Sequence, residues 1–411
     1  MNKKIIEITD CDQLIKYIYP VHEYDFMDSP AFYSIGSYEE DEILVINFDD
    51  HTHSKAFFTH LDNEKIYRVE FWNCHFKKVL ILNEGDCAKY YEKTNFTFFN
   101  CVFTGLSIDG FTYQGKIKFK KCKFPKGQSF YNTIFGDYLE FLDCEFQNKL
   151  IFNKVEFRET VVFTKTKFLD NVLFTYTTFF RLGVFSRTFF DKGIDLSQAI
   201  INGNLTFFEA QIKNYHSEAI SINDEKISES GKSQKKFDIS VTGSGKIPTI
   251  NKRETFRIIK QQLAKEGNNI DAFKYNSLEK QAYQQQLKEH NSKWFNSEDG
   301  LMFSLNNLSN KHKSSWLRGI GFTVSVAIIF YTISIFITGN FYLTLNDFIP
   351  TINKNASAWI VSLNPTHNPN YIKDIFEIKS LNAGYYIFDF IGRIFIGYGI
   401  YQTVQAFRKF R

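Results

Sequence analysis

Several things are scarce in this chain, and each shortage excludes something. There are only 7 prolines in 411 residues, so the protein is not linker-rich or disordered. The six cysteines stand in no CxxC or other metal-ligand spacing, which removes the usual zinc signatures. No sign of charge dominates: the formal net charge is +4. The N-terminal stretch MNKKIIEITDCDQLIKY has charges breaking every apolar run, so no secretory signal is expected there. GSGK (243–246) is not a phosphate loop, because GxxxxGK[ST] needs Gly where Ser240 stands and Ser or Thr where Ile247 stands. No nucleophile–base pair or metal cluster is visible either, so no enzyme and no cofactor are expected.

What the chain has in excess is phenylalanine, 46 residues. From Ile108 an apolar position recurs every eleven residues: Ile108, Phe119, Phe130, Phe141, Phe152, Phe163, Phe174, Phe185, Leu196, Phe207. A second series runs five residues behind: Tyr113, Phe124, Phe135, Phe146, Phe157, Phe168, Phe179, Phe190, Ile201, Ile212. The spacing alternates five and six. Neither a helix of period 3.6 nor a strand of period 2 produces it. Two residues before the second series sits a mostly small residue: Cys122, Thr133, Cys144, Val155, Thr166, Thr177, Thr188, Ala199, Ala210. Residues two apart on an extended segment share a face. Each short segment therefore points two side chains inward and then turns a corner, which describes a solenoid.

CHF (74–76), CVF (101–103), CKF (122–124), CEF (144–146), VEF (155–157) and TKF (166–168) carry a small residue, any residue, then a Phe anchor. In this, residues 67–215 resemble the pentapeptide-repeat family. The resemblance implies a right-handed quadrilateral β-helix, here with about 22 residues per coil rather than four fives. Cys74, Cys101, Cys122 and Cys144 then read as reduced core fillers rather than disulfide or metal partners. Residues 1–66 fall outside the ladder and are expected to form a β cap, with EILVINF (42–48) and KAFFTH (55–60) as strands. DDHTH (49–53), with His60 near, reads as a solvated turn before a metal site.

Residues 216–250 are polar and breaker-rich, a flexible linker. Residues 251–312 form a cytoplasmic helical connector. Its stretch Lys252–His290 is a helical hairpin broken at GNN (267–269), with Phe256, Ile259 and Leu263 as one apolar stripe. Residues 313–411 hold a transmembrane hairpin. Its first span, 320–338, carries no charge over 19 residues. Its second, 385–407, contains Asp389 and Arg393. Lys311, Lys313 and Arg318 flank the first span and Arg408, Lys409 and Arg411 the second, which places both termini in the cytoplasm of a cell with this inner membrane. ASAWIVSLNP (356–365) either dips into the membrane as a short pore helix or forms a small extracytoplasmic cap.

Gly397-Tyr398-Gly399 matches the filter tripeptide of potassium channels. A filter must be followed by another spanning helix, and twelve residues ending in a basic cluster cannot supply one. The glycines read instead as helix contacts inside the second span. Asp389 and Arg393 stand one turn apart at a depth where charges usually face a bundle interior or water. Gly397, Ile400 and Val404 continue near that face. These five are the expected pore-lining residues, and since two spans cannot enclose a pore, a homo-oligomeric ring such as a tetramer is required. KIKFKKCKFPK (116–126) turns Lys116, Lys118, Lys120, Lys121, Lys123 and Lys126 outward, a strip suited to a nucleotide or nucleic-acid oligomer, to a lipid headgroup surface, or only to solvent. The ladder has 14 bases and 11 acids over 108–212, unlike an acidic DNA-mimicking repeat protein.

With FRIIKQQLAKEGNNIDAFKY, NKHKSSWLRGI and GYGIYQTVQAFRKF, the layout resembles bacterial pentapeptide-repeat proteins with a C-terminal two-span module, including the membrane effector of Hailong-type antiviral systems. That resemblance implies an ion-conducting effector held shut by a nucleotide oligomer. The alternative is a membrane-anchored scaffold whose β-helix presents a binding face and which conducts nothing.

Overall fold

The computed structural model describes residues 4–21, 32–36, 42–47, 56, 59–61, 63–64, 66–81, 93–218, 245–290, 298–338 and 348–408. DDHTH (49–53) and most of the linker lie outside them. The chain divides into two compact units, Met1–Asn268 and Asn269–Arg411.

The first unit is a β-helix-like stack of four sheets, two of nine strands, one of five and one of four. Neighbouring strands are parallel and in register from coil to coil. Ile117 pairs with Leu139, Lys123 with Glu145, Gln128 with Leu150 and Ile134 with Glu156, each 22 residues on. Both phenylalanine series point inward, and Phe119, Phe141, Phe152, Phe163 and Phe185 are all but fully buried. Like rings stack along columns, with Phe119–Phe141 at 4.8 Å, Phe124–Phe146 at 4.4 Å and Phe130–Phe152 at 5.2 Å. Across a coil they meet edge-on, as Phe152 and Phe157 do at 5.4 Å.

The alternation of five and six has a backbone cause. Lys121, Asn132, Asp143, Lys154, Lys165, Tyr176 and Arg187 all adopt left-handed φ, between +50° and +58°. Each sits just before the small residue and turns the chain sharply, so this corner needs only five residues. The left-handed region is unusual for residues other than glycine. The small residue that follows helps hold it: the Thr166 hydroxyl donates to Phe141 O at 2.6 Å and the Thr188 hydroxyl to Phe163 O at 2.7 Å. Cys122 and Cys144 make the same bond through Sγ, each at 3.3 Å, to Phe98 O and Phe119 O. Thiol and hydroxyl are interchangeable rungs here.

Further elements adjoin both ends of the stack. Lys4–Ile8 and Glu42–Ile46 extend one nine-stranded sheet, and Phe32–Gly36 with antiparallel Ile18–Val21 extends the other. Helix α1 (Cys11–Ile15) joins these strands. KAFFTH is not a strand: Ala56, Thr59 and His60 are helical. The neighbouring sheet positions are taken by Phe32–Gly36 and Glu42–Ile46, and the His60 carbonyl accepts instead from Glu64 N at 3.0 Å. At the other end lies α2 (Thr249–Lys265), whose Phe256, Ile259 and Leu263 are buried. Its side chains satisfy the open edge: Leu196 N donates to Thr255 Oγ1 at 2.9 Å and Leu205 N to Gln262 Oε1 at 3.2 Å. The expected connector is thus divided. Its first helix belongs to the β-helix as a cap, and it ends in a Schellman turn at Gly267, where Asn268 N donates to Leu263 O at 2.9 Å.

The second unit is helical: α3 (Asn269–His290), α4 (Glu298–Asn310), α5 (Trp316–Thr338), α6 (Phe348–Ser362), α7 (Tyr371–Phe376) and α8 (Ala383–Phe407). α5 is the one described helix long and apolar enough to cross a membrane. Only 22% of its most apolar window is buried, unlike a core helix of a water-soluble fold. α8 packs antiparallel along it. Trp316 stacks on Phe407 at 5.2 Å, Phe322 meets Tyr398 and Phe330 stacks on Phe395 at 5.8 Å. Small residues allow the close approach, since a Cβ at Gly399 would collide with Thr323 and one at Gly319 with Thr403. Gly397-Tyr398-Gly399 lies within α8. Of its two glycines, Gly399 meets α5 and Gly397 has no heavy atom within contact reach.

Candidate functional site: a buried charge cluster and a basic corner groove

α5 and α8 present apolar side chains outward. Ile329 is 54% exposed, Phe336 60% and Phe390 65%. The carboxylate of α8, Asp389, is kept inside. Both of its oxygens are engaged: Oδ2 accepts from Arg393 Nη2 at 2.5 Å and Oδ1 lies 2.8 Å from His367 Nε2. His367 is itself buried, and its Nδ1 sits 2.6 Å from Asn364 O. The i, i+4 spacing on α8 brings Asp389 and Arg393 together. The turn after α6 brings the histidine. This arrangement pairs a buried carboxylate with a half-buried guanidinium, where breaking the pair would leave a buried charge at a cost of several kcal/mol, of order 3–5.

The five expected pore residues fall into two groups. Asp389 is covered by His367 of the turn between α6 and α7, and Arg393 is tied to Asp389. Gly397, Ile400 and Val404 lie one to three turns further along nearly the same side of α8, with Ile400 40% and Val404 48% exposed. His367 was not legible as a partner. It is a lone histidine in a loop, 22 residues from Asp389, and no periodicity links them.

Toward the Trp316 end of α5, a polar network ties α4 to α8. The Asn310 amide donates to Gln402 Oε1 at 2.6 Å and to Gln402 O at 2.9 Å, while Gln402 Nε2 and Tyr398 Oη both donate to Asn306 Oδ1. Between α4 and α5, Lys311, His312 and Lys313 are three successive left-handed residues. His312 is buried there, and neither ring nitrogen has a hydrogen-bond partner. Burial and the nearby Lys280 push its pKa down to about 4.

In the first unit, the basic strip does not form one flat patch. Lys118 and Lys120 stand on one nine-stranded sheet, with Lys120 over the Phe99 ring at 5.2 Å and Lys118 over Tyr138 at 5.7 Å. Lys123 stands on the other sheet, and Lys116, Lys121 and Lys126 lie outside the strands. Along the corner runs a groove of about 390 Å³. Lys120, Lys121, Lys165 and Asp143 line it, with Trp72 and Phe99 stacked at 3.8 Å and Asn73 bonded to Asn100 at 2.6 Å. Three cations and one carboxylate beside an aromatic pair suit an anion with a flat apolar part. Lys116, Lys118, Lys123 and Lys126 are not among its lining residues. Lys165 and Trp72 were missed from sequence. The 22-residue period does align Lys121, Asp143, Lys165, Arg187 and Glu209 in one column, and that column is the signal that marks Lys165.

Among the described residues, no group of three His, Cys, Asp or Glu is placed to hold a metal ion. Comparison with known proteins returns no matching family model, no matching curated protein and no matching solved structure.

Proposed function

We propose that this chain is an oligomeric ion-conducting protein of the bacterial inner membrane, controlled by its cytoplasmic β-helical unit. α5 and α8 are its two spans, and both termini lie in the cytoplasm, following the basic residues at the span ends. The observation that carries this reading is the His367–Asp389–Arg393 cluster inside an apolar-surfaced hairpin. A plain anchor has no use for a buried carboxylate and a buried histidine tied to a half-buried arginine, and such residues in spans mark ion or proton pathways. Two spans cannot surround a path, so copies of the chain associate in a ring, a tetramer being the simplest. Gly397, Ile400 and Val404 are free to line the path or meet a neighbouring copy.

The corner groove is the ligand surface of this reading, for a nucleotide or nucleic-acid oligomer. The repeat pattern and the layout resemble those of pentapeptide-repeat proteins with two-span modules, and conduction released on loss of a ligand would serve antiviral defence of the Hailong type. The test is ion flux from liposomes holding the full chain. Asp389→Asn and Arg393→Gln should each change flux about tenfold or more while the protein stays in the bilayer. Membrane-bound protein that carries no flux, before or after these changes, selects the scaffold alternative.

A further inference from the structure

The segment between α5 and α8 comes back down beside α5. Tyr331 Oη donates to Asn355 Oδ1 of α6 at 2.8 Å. Ala358, three residues on, shares a cluster with Ile335 and Tyr385. Trp359 and Leu363 pack with Val326, Ala327 and Ile396. Val326 and Ala327 stand at the middle of the 23-residue α5. The chain then turns and climbs, and Tyr371 and Ile372 of α7 rejoin the cluster of Ile335 and Tyr385. α6, its turn and α7 thus descend half the length of α5 and return.

The turn is polar and not helical. Asn364 Oδ1 accepts from Thr366 N at 3.0 Å and from Thr366 Oγ1 at 2.8 Å, and His367 N donates to Asn364 O at 3.1 Å. Asn364 and Thr366 are exposed, while His367 is held from behind by Asp389. Around them the unit shows Ile329, Phe390 and Ile394 to the outside. Lipid cannot satisfy an irregular backbone and exposed polar side chains at mid-span. Such a segment persists at that depth only where it is buried in protein or lines water.

We infer that residues 363–368 are the tip of a re-entrant loop lining the ion path, and that Asn364 and Thr366 set its selectivity for small monovalent cations. This rests on the proposal that α5 and α8 span a membrane and conduct. The ion class follows from the tip's chemistry. α6 ends at the tip, so its carboxyl end directs partial negative charge there. The tip offers neutral oxygens and no carboxylate, which suits monovalent cations better than divalent ones. The one guanidinium near it, Arg393, is tied to Asp389. Below the tip, Gly397, Ile400 and Val404 are uncovered on the same side of α8 and continue the route toward the Trp316 end.

The experiment records currents from the full chain in planar bilayers under a KCl gradient, then with K+ and Na+ opposed. The reversal potential should lie on the cation side. Thr366→Ala and Asn364→Asp should each change the K+/Na+ permeability ratio or unit conductance about threefold or more, and Ile394→Ala should change neither. Thr366→Cys, a milder change, should be blocked by a cationic methanethiosulfonate from one side. Wild-type current with an anion-side reversal potential overturns the cation assignment. Wild-type current that neither Thr366→Ala nor Asn364→Asp alters, with no block of Thr366→Cys from either side, overturns the loop's role and leaves conduction standing. A wild-type protein that passes no current overturns conduction itself, and the loop's role with it.

Discussion

The two units of this chain use phenylalanine in opposite directions. In the β-helix, Phe152, Phe163 and Phe185 are buried while lysines and acids cover the corners. In the helical unit, Phe336 and Phe390 face outward while Asp389, His367, Asn310 and Gln402 are buried. One chain carries a water-facing solution and its inversion. The difference is what the proposed membrane placement requires of each unit: apolar surface hides from water, and polar groups hide from hydrocarbon. It also separates two ways of satisfying polar groups. The β-helix uses repeated rungs to backbone carbonyls, whereas the helical unit uses a few unique clusters.

The sharpest way to break this comparison is to shave one ring from each unit. Phe152 stacks on Phe130 at 5.2 Å and on Phe174 at 5.1 Å, so Phe152→Ala opens a cavity in a continuous column. It should cost about 3–5 kcal/mol in denaturant unfolding of the β-helix. Phe390→Ala should cost no more than about 0.5 kcal/mol. Equal losses would mean that Phe390 is packed in the assembled protein and does not face a solvent.

A charge at the same outer position reads the solvent directly. On a water-facing helix Phe390→Asp would be nearly neutral. Near the middle of a span it should cost about 2–3 kcal/mol, seen as lost membrane insertion of the full chain. A fully inserted Phe390→Asp protein would refute the inverted pattern of α8.

The two regions also differ in how much of them could be read from residues alone. The ladder was legible because one rule, repeated every eleven residues, governs both packing and backbone, and each coil confirms the last. Even the small column was visible, since Cys122 and Thr166 differ in chemistry but share size and position. The left-handed corner was not, because Lys121, Tyr176 and Arg187 have no common side-chain property. In the helical unit, apolar length marked α5 and the i, i+4 pair marked Asp389 and Arg393. The partner His367 arrives through tertiary folding of a loop, and α2 looked like a connector because its apolar stripe does not say which surface it covers.

Acid should distinguish the units further. His312 is neutral when folded, with its pKa pushed down to about 4, whereas the unfolded chain protonates it near its ordinary 6.5. Its contribution to the stability of the helical unit is complete above pH 6.5 and is lost as pH falls from there toward 4. Helical unfolding measured at successive pH values should show this slope, and His312→Phe should flatten it. The ladder's buried thiols, pushed upward by burial, do not ionise in that window.

The smallest effect belongs to the rungs. Cys144 and Thr166 hold equivalent places one coil apart and donate to equivalent carbonyls, at Phe119 and Phe141. Cys144→Thr should therefore change unfolding stability by no more than about 0.5 kcal/mol. Cys144→Val keeps the shape but removes the donor, and should cost about 1 kcal/mol more than the threonine form. The native thiol should resist modification until the coil opens, because burial disfavours its thiolate. If Cys144→Thr proved as damaging as Phe152→Ala, the rung would be specific to sulfur, and the shared role drawn for thiol and hydroxyl in this column would fail.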